Sequence, residues 1–321
     1  MATNNLFQNA NNNNAGFAAP STSGAVGQAQ PTTSSKMERL PFGYVVSFPN
    51  YTAAATAGTL GVDNIQNLKI NSNANFEVLK QLKWDNGGGD GYINILSNGN
   101  TSLYGVSSVA SDYNGYANIN TVFGNSQFNA RFDKPLTLPA TRELILKYKD
   151  TTSISGSLYL LFMGNNVYPA GSITQEYLYA TIPSTSYPIQ YPVTLKNTQA
   201  NGTTIANITI PQGENFVWTG ITINDSNYPV LINFNLAQLG NRAIFSSGVI
   251  SRMINGTTNT NSSANNLTPS GVFPFMLPSY INLVSKSTVQ ISVSDISGTS
   301  GYNTSVTLWG YVTQATSAQY Y

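Results

Sequence analysis

The chain has 321 residues, 8% charged and 41% hydrophobic, with 14 Lys+Arg, 13 Asp+Glu, no His and no Cys. An ordinary soluble domain is roughly 25% charged. Without His or Cys there is no Ser-His-Asp triad, no cysteine nucleophile, no zinc site built on those ligands and no disulfide. A net charge of +1 argues against nucleic-acid binding driven by phosphate neutralisation.

Residues 1–35 carry no charge, and their bulky apolar residues are Leu6, Phe7, Phe17 and Val26. The rest is small and polar, including the run Asn11–Asn14. Such a segment cannot bury enough apolar surface to fold alone. It is expected to be either a disordered tail or an arm that orders against neighbouring subunits. It lacks the basic and apolar regions of a secretory signal. The longest clear apolar run, Leu158 to Met163, is far short of the roughly 20 residues a membrane-spanning helix needs. The chain is therefore expected to be made in the cytoplasm, or to leave it by a route without such a signal.

From Lys36 onward the pattern is β. Short runs alternate apolar and polar residues between Gly, Asn, Pro and Ser. Ala206, Ile208 and Ile210 alternate against Asn207 and Thr209. Leu144, Leu146 and Tyr148 should face a core, with Glu143, Lys147 and Lys149 toward water. Val289, Ile291 and Val293 form the same pattern. The best short helical candidate is Asn235–Arg242, around Leu236 and Leu239. Many short strands with turn signals predict a sandwich or barrel.

A weak internal repeat organises this stretch. Asn67–Phe76 lies 140 residues before Asn207–Phe216, so that Leu68, Ile70 and Val78 match Ile208, Ile210 and Trp218. Pro135–Pro139 lies 139 before Pro274–Pro278, both reading Pro-x-x-Leu-Pro. Leu144, Leu146 and Tyr148 lie 145 before Val289, Ile291 and Val293, and each of these strands runs into an Asp, at Asp150 and Asp295. Each copy closes on an apolar strand ending in Gly, at Gly164 and Gly310. Blocks in one order at nearly one offset indicate a tandem duplication. Opening and closing strands far apart in each copy must meet in a closed two-sheet fold, as in an eight-stranded jelly roll. Each copy carries a polar insertion, Ser111–Gln127 and Asn255–Gly271, expected to face solvent at the same end of its barrel.

Tandem jelly rolls behind an uncharged arm resemble the double jelly-roll major capsid proteins of icosahedral viruses with an internal membrane. Within that family the chain is similar to the branch found in the lipid-containing single-stranded-DNA phage of Flavobacterium. The resemblance rests on the paired blocks and on length, over about residues 36–314. It implies an arm at 1–35, a first eight-stranded barrel at 36–185 and a second at 186–321. It further implies a homotrimer of pseudo-hexagonal outline that tiles a shell. Its partners would be neighbouring capsomers, penton or other minor capsid proteins and an underlying lipid membrane. The protein would be synthesised in the host cytoplasm and reside in the virion. Neutral Asn, Thr, Ser and Gln surfaces suit such contacts, since their hydrogen bonds depend little on salt. Residues 151–321 hold only four basic and four acidic residues, so the second barrel is the candidate for more of the packing between subunits.

Chemistry was weighed against this. Asp85, Asp90 and Asp112 sit in Gly/Asn-rich loops and could supply the carboxylate pair of a glycosidase. They read better as turn residues. Asp85–Asp90 also invites a calcium reading but fails the spacing of a calcium-binding loop. Trp84, Trp218 and Trp309 read as core or strand-end residues rather than a ligand platform. Asn-x-Thr triplets at Asn50 and Asn207 are expected by chance at this Asn content and would accept sugar only in a secreted protein. The expectation is a structural protein, not an enzyme, with no catalytic, cofactor-binding or metal residues and no specific nucleic-acid partner. The alternative is a glycan- or receptor-binding β-protein of a virion spike or cell surface.

Overall fold

The structure, a computed structural model, describes residues 37–87, 90–97, 101–102, 115–124, 130–169, 172, 178–179, 185–226, 228–237, 240, 242–255 and 274–314. In chain order the first strands are β1 (Glu38–Phe48), β2 (Asn64–Lys69), β3 (Asn75–Asp85), β4 (Gly91–Ser97), β5 (Thr101–Ser102) and β6 (Ala117–Asn118). The helical turn α1 (Ile119–Val122) follows, then β7 (Ala130–Leu138), β8 (Glu143–Asp150), β9 (Leu158–Tyr168) and the short β10 (Leu178–Tyr179). A second series comprises β11 (Tyr187–Asn197), β12 (Thr203–Thr209), β13 (Glu214–Asn224), β14 (Val230–Leu236), β15 (Arg242–Ala243) and β16 (Val249–Ile250). It ends with the turn α2 (Ser251–Asn255), β17 (Phe275–Leu283), β18 (Thr288–Asp295) and β19 (Tyr302–Gln314).

These strands make four antiparallel sheets. The first series forms β1-β9-β3-β7 and β2-β8-β4-β5, with β6 added to β4. The second, joined by β10, forms β10-β17-β13-β19-β11 and β12-β18-β14-β15, with β16 added to β14. The pairing is nested in both series: first strand with last, second with next to last, and so inward to a central hairpin. Each sheet is an open path with two edges, and none of the four closes on itself among the described residues.

Alternation explains the strands. Leu144, Leu146 and Tyr148 of β8 are fully buried, while Glu143 is exposed and Lys147 and Lys149 are half-buried. Val289, Ile291 and Val293 of β18 are buried in the same way. In the first series, buried residues of β1, β3 and β9 meet those of β2, β4 and β8 in one core, which includes Tyr44, Phe76, Ile95, Leu146 and Phe162. The two sheets of the second series enclose their own core around Trp218, Phe234, Ile291 and Leu308.

Two sequence expectations change. The ends of Asn235–Arg242 are strand rather than helix: Asn235 pairs with Ala243 and Leu236 with Arg242, in the β14–β15 hairpin, while Leu239 lies outside the described residues. Strand pairing with β18 captures Asn235 and Leu236 first, and tertiary pairing overrides a short helical pattern. The insertion Ser111–Gln127 is not wholly a solvent loop, because its described part forms β6 and α1, with Ile119 and Phe123 buried at 1%. Apart from Asn255, the insertion Asn255–Gly271 lies outside the described residues.

The repeat is real in strand order, but one of its blocks is out of register. Phe76 pairs with Leu138, and Phe216 pairs with Leu283. Leu138 therefore corresponds to Leu283, not to Leu277 of the Pro-x-x-Leu-Pro match. The motif ends β7 in the first series and opens β17 in the second. Each series also carries an irregularity at the same place, between Val78 and Lys80 and between Trp218 and Gly220.

Candidate assembly surface

Strand β9 is buried along nearly its whole length. Leu158, Leu160 and Phe162 enter the first core. Leu161 and Met163 point the other way and join the second cluster, with Leu82 and Trp84 of β3. The outer face of sheet β1-β9-β3-β7 is thus covered by the second series. A strand buried on both faces reads as a continuous apolar run, which is why Leu158–Met163 shows no alternation.

The cover is held by backbone as well as by side chains. The Gly43 N–H donates to the Ile244 carbonyl at 2.8 Å, and the Ser246 N–H donates to the Gly43 carbonyl at 2.8 Å. The Val45 N–H reaches Ser246 Oγ at 2.9 Å. A β-carbon at position 43 would collide with the Phe245 ring and with Leu161, so glycine permits the close approach. Ser279 Oγ donates to Asn165 Oδ1 at 2.9 Å. Lys80 Nζ lies 5.2 Å from the centroid of the Phe275 ring, and burial, helped by Arg131, lowers its pKa. Next to this seam, α2 is anchored by Asp225, which accepts from Ser251 Oγ at 2.6 Å and pairs with Arg252 Nε at 2.8 Å.

Register identifies the matching face of the second series. Val45, Leu161 and Leu82 lie side by side on the covered face. Pro192, Thr307 and Thr222 lie side by side at the same places of sheet β11-β19-β13. Met163 opposite Lys80 corresponds to Trp309 opposite Gly220. Here Pro192 is exposed, and Thr307, Thr222 and Trp309 are half-buried. Trp309 Nε1 donates to Thr222 Oγ1 at 2.9 Å. These positions are uncharged and amphipathic where Leu82, Leu161 and Met163 are apolar and buried.

The complementary edge behaves likewise. In the second series β17 covers part of the seam and pairs along one side with β13 and, at Tyr280 and Ile281, with β10 on the other. Its counterpart β7 is an edge strand, and Arg131, Asp133, Lys134 and Pro135 are exposed. Among the described residues, one half-buried face and one edge strand therefore have counterparts that meet inside the molecule.

The carboxylates weighed above are organisers of loops. Asp85 is 8% exposed and accepts from the Gly87 N–H at 2.6 Å and from the Tyr51 hydroxyl at 3.2 Å. Burial pushes its pKa up against these bonds. Asp90 Oδ1 accepts from the Gly91 N–H at 2.9 Å and from the side-chain amides of Asn118 and Asn120. Asp112 lies outside the described residues. Among the described residues no group of three or more His, Cys, Asp or Glu is placed to hold a metal. Trp218 is core, with its Nε1 donating to the Gly220 carbonyl at 2.8 Å. Trp84 packs in the seam against Tyr159, and only Trp309 faces outward. Asn50 and Asn207 are exposed. Sequence reasoning passed over the seam, since only the apolar outward positions Leu82, Trp84, Leu161 and Met163 mark it.

No protein-family model and no curated protein matches the sequence. Among solved structures the chain is similar to the exported protein XepA of PBSX, at 10% identity and a TM-score of 0.20, over 84% of this chain and 86% of that one. It is also similar to the VP2 subviral particle of infectious bursal disease virus, at 10% identity and a TM-score of 0.18, over 86% and 71%. A third likeness is to the Gx strain of that virus, at 13% identity and a TM-score of 0.16, over 89% and 73%. Scores this low leave the architecture to be argued from the strand pairing itself.

Proposed function

We propose that the protein is a major capsid protein: a non-enzymatic shell subunit built of two tandem jelly rolls, at about 36–185 and 186–321. The nested pairing supports the jelly-roll reading, because a ribbon folded back on itself and wound into two facing sheets pairs its strands from the ends inward. The same order in both series supports the duplication.

The observation that carries assembly is the unequal fate of equivalent faces. Within one chain, the face of Leu161 is covered by the second series. Among the described residues the equivalent face of Thr307 is half-buried and joins no such cluster, and β7, the counterpart of β17, is an edge strand. A head-to-tail contact between Thr307's face and the β7 edge of another copy satisfies both. Contacts of this heterologous kind form rings when the rotation closes. Three chains of two units each would make a closed trimer of pseudo-hexagonal outline, able to tile an icosahedral shell over a membrane. Side chains such as Thr222, Thr307 and Trp309 suit an interface that must exist both covered and uncovered.

The test is the assembly state of the full chain. Light scattering on the eluted protein should give three times the 34.4 kDa chain mass, and electron microscopy should show hexagonal outlines. A protein that stays monomeric at high micromolar concentration overturns the proposal, and saccharide binding by that monomer would favour the receptor-binding alternative.

A further inference from the structure

A cleft of about 480 Å³ opens where β1, β9 and the β2–β3 turn meet the β14–β15 hairpin and β17. Its size is that of a small-molecule site. Apolar walls come from Leu40, Phe42 and Ile281, and Asn166 and Arg242 also line it. Arg242 is stacked on Tyr168, 4.9 Å from guanidinium carbon to ring centroid. Stacking holds a guanidinium plane in place and leaves its in-plane donors to face something else.

Two polar atoms in this cleft lack the partners that burial demands. Arg242 Nη1 is buried and makes no hydrogen bond, and neither does Asn166 Oδ1. Asn166 is 2% exposed. No Asp or Glu lines the cleft, so the Arg242 charge has no carboxylate there. Arg242 itself is half-buried, but a buried guanidinium N–H without an acceptor and a buried amide oxygen without a donor are each costly. Proteins retain such groups where something else completes them. The Asn166 feature is not duplicated: Val312 occupies its place in the second series, as the pairing of Val78 with Gly164 and Trp218 with Gly310 shows. The repeat therefore does not account for it.

We propose that this cleft is a binding site for a small carboxylic acid with an apolar body and an adjacent hydrogen-bond donor. The carboxylate accepts from Arg242 Nη1, the donor reaches Asn166 Oδ1, and the body lies against Leu40, Phe42 and Ile281. A neutral ligand would leave the cation uncompensated, and a donor-free acid would leave Asn166 unsatisfied. The inference is independent of the shell proposal, since every wall belongs to one chain.

The probe is N-acetyltyrosine, which carries a carboxylate, an amide N–H and a ring, with N-acetyltyrosinamide as its neutral control. Added to the full-length protein, the acid should raise the melting temperature saturably, by about 3 °C or more, and the amide should not. Arg242→Met should abolish the rise while leaving the protein without ligand about as stable as before, because Nη1 has no hydrogen bond to lose and the methionine side chain can still pack on Tyr168. Asn166→Leu should weaken binding of the acid at least tenfold by calorimetry. An equal response to acid and amide, or no saturable response to either, overturns the proposal. So does a marked loss of stability in Arg242→Met without ligand, which would make Arg242 a structural residue. To separate a free acid from a carboxylate of a neighbouring subunit, the titration is repeated on the assembled protein. Binding there as tight as in the dissociated chain supports a free acid, and loss of binding on assembly assigns the site to a neighbour and overturns the small-molecule reading.

Discussion

Asp150 and Asp295 occupy the same position in the two series, at the ends of β8 and β18. Asp150 accepts from the N–H groups of Ala54, Thr152 and Ser153 and from the Thr152 hydroxyl, at 2.8–3.0 Å. Asp295 accepts from the N–H groups of Asn201 and Ser297 and from the hydroxyls of Ser297 and Tyr302, at 2.6–2.9 Å. Each carboxylate ties two loops to a strand end. Burial alone would raise the Asp295 pKa, but the hydrogen bonds outweigh it and bring it to about 2. The unfolded value is about 3.9, so the folded value is the lower one. Its stabilisation is then complete above about pH 4 and is lost as pH falls toward 2. Urea midpoints should drop over that interval in the parent and drop less in Asp295→Asn. Asp295→Ala should cost about 3 kcal/mol near neutral pH by chemical denaturation, since it strands several buried donors. Both aspartates were visible in the sequence as the ends of matched strands. Their donors were not, because Ala54 and Asn201 lie 96 and 94 residues away in the chain.

Elements show how far a pattern can be read. The alternation of β8 and β18 named their buried faces correctly because one side chain in two must face the core. The alignment of β7 on β17 differs from the one the proline motif suggests, because that motif marks a strand end without saying which end. Register with β3 and β13 decides it, and with it the place of the irregularity beside Gly164 and Gly310. A β-carbon on Gly164 would strike the Glu77 carbonyl, and one on Gly310 the Val217 carbonyl. Either Gly→Ala change should therefore cost about 3 kcal/mol or more, by calorimetry, and to a similar degree in both series. The α2 anchor makes another case. Arg252→Met removes the ionic partner of the buried Asp225 and should destabilise by about 3 kcal/mol. Adding Asp225→Asn should recover part of that loss, and a double-mutant cycle checks it.

At the scale of the whole molecule, equivalent substitutions should have unequal effects. Leu161→Arg places a charge inside the seam and should prevent folding. Thr307→Arg places it at the corresponding site of the half-buried face. It should leave the circular dichroism spectrum and melting temperature of the chain nearly unchanged, while the assembled species is lost from size-exclusion chromatography. Equal loss of folding in both variants would mean that Thr307's face is core rather than contact surface.

The sequence by itself determined which side chains are missing, the β periodicity, the recurrence of similar strand blocks and the aspartates that end matched strands. These are local or repeated properties, legible wherever the two-residue period of a strand meets a buried face. Tertiary structure alone decided which outer face is covered, how β7 and β17 align, and where Arg242 and Asn166 meet around an open cleft. Alternation assigns each side chain to one of two faces, but both faces of β9 are apolar while only one faces its own sheet partner. What lies against the other face is far away in the chain, as Val45 and Ser246, 201 residues apart, illustrate, and no local pattern encodes such a contact.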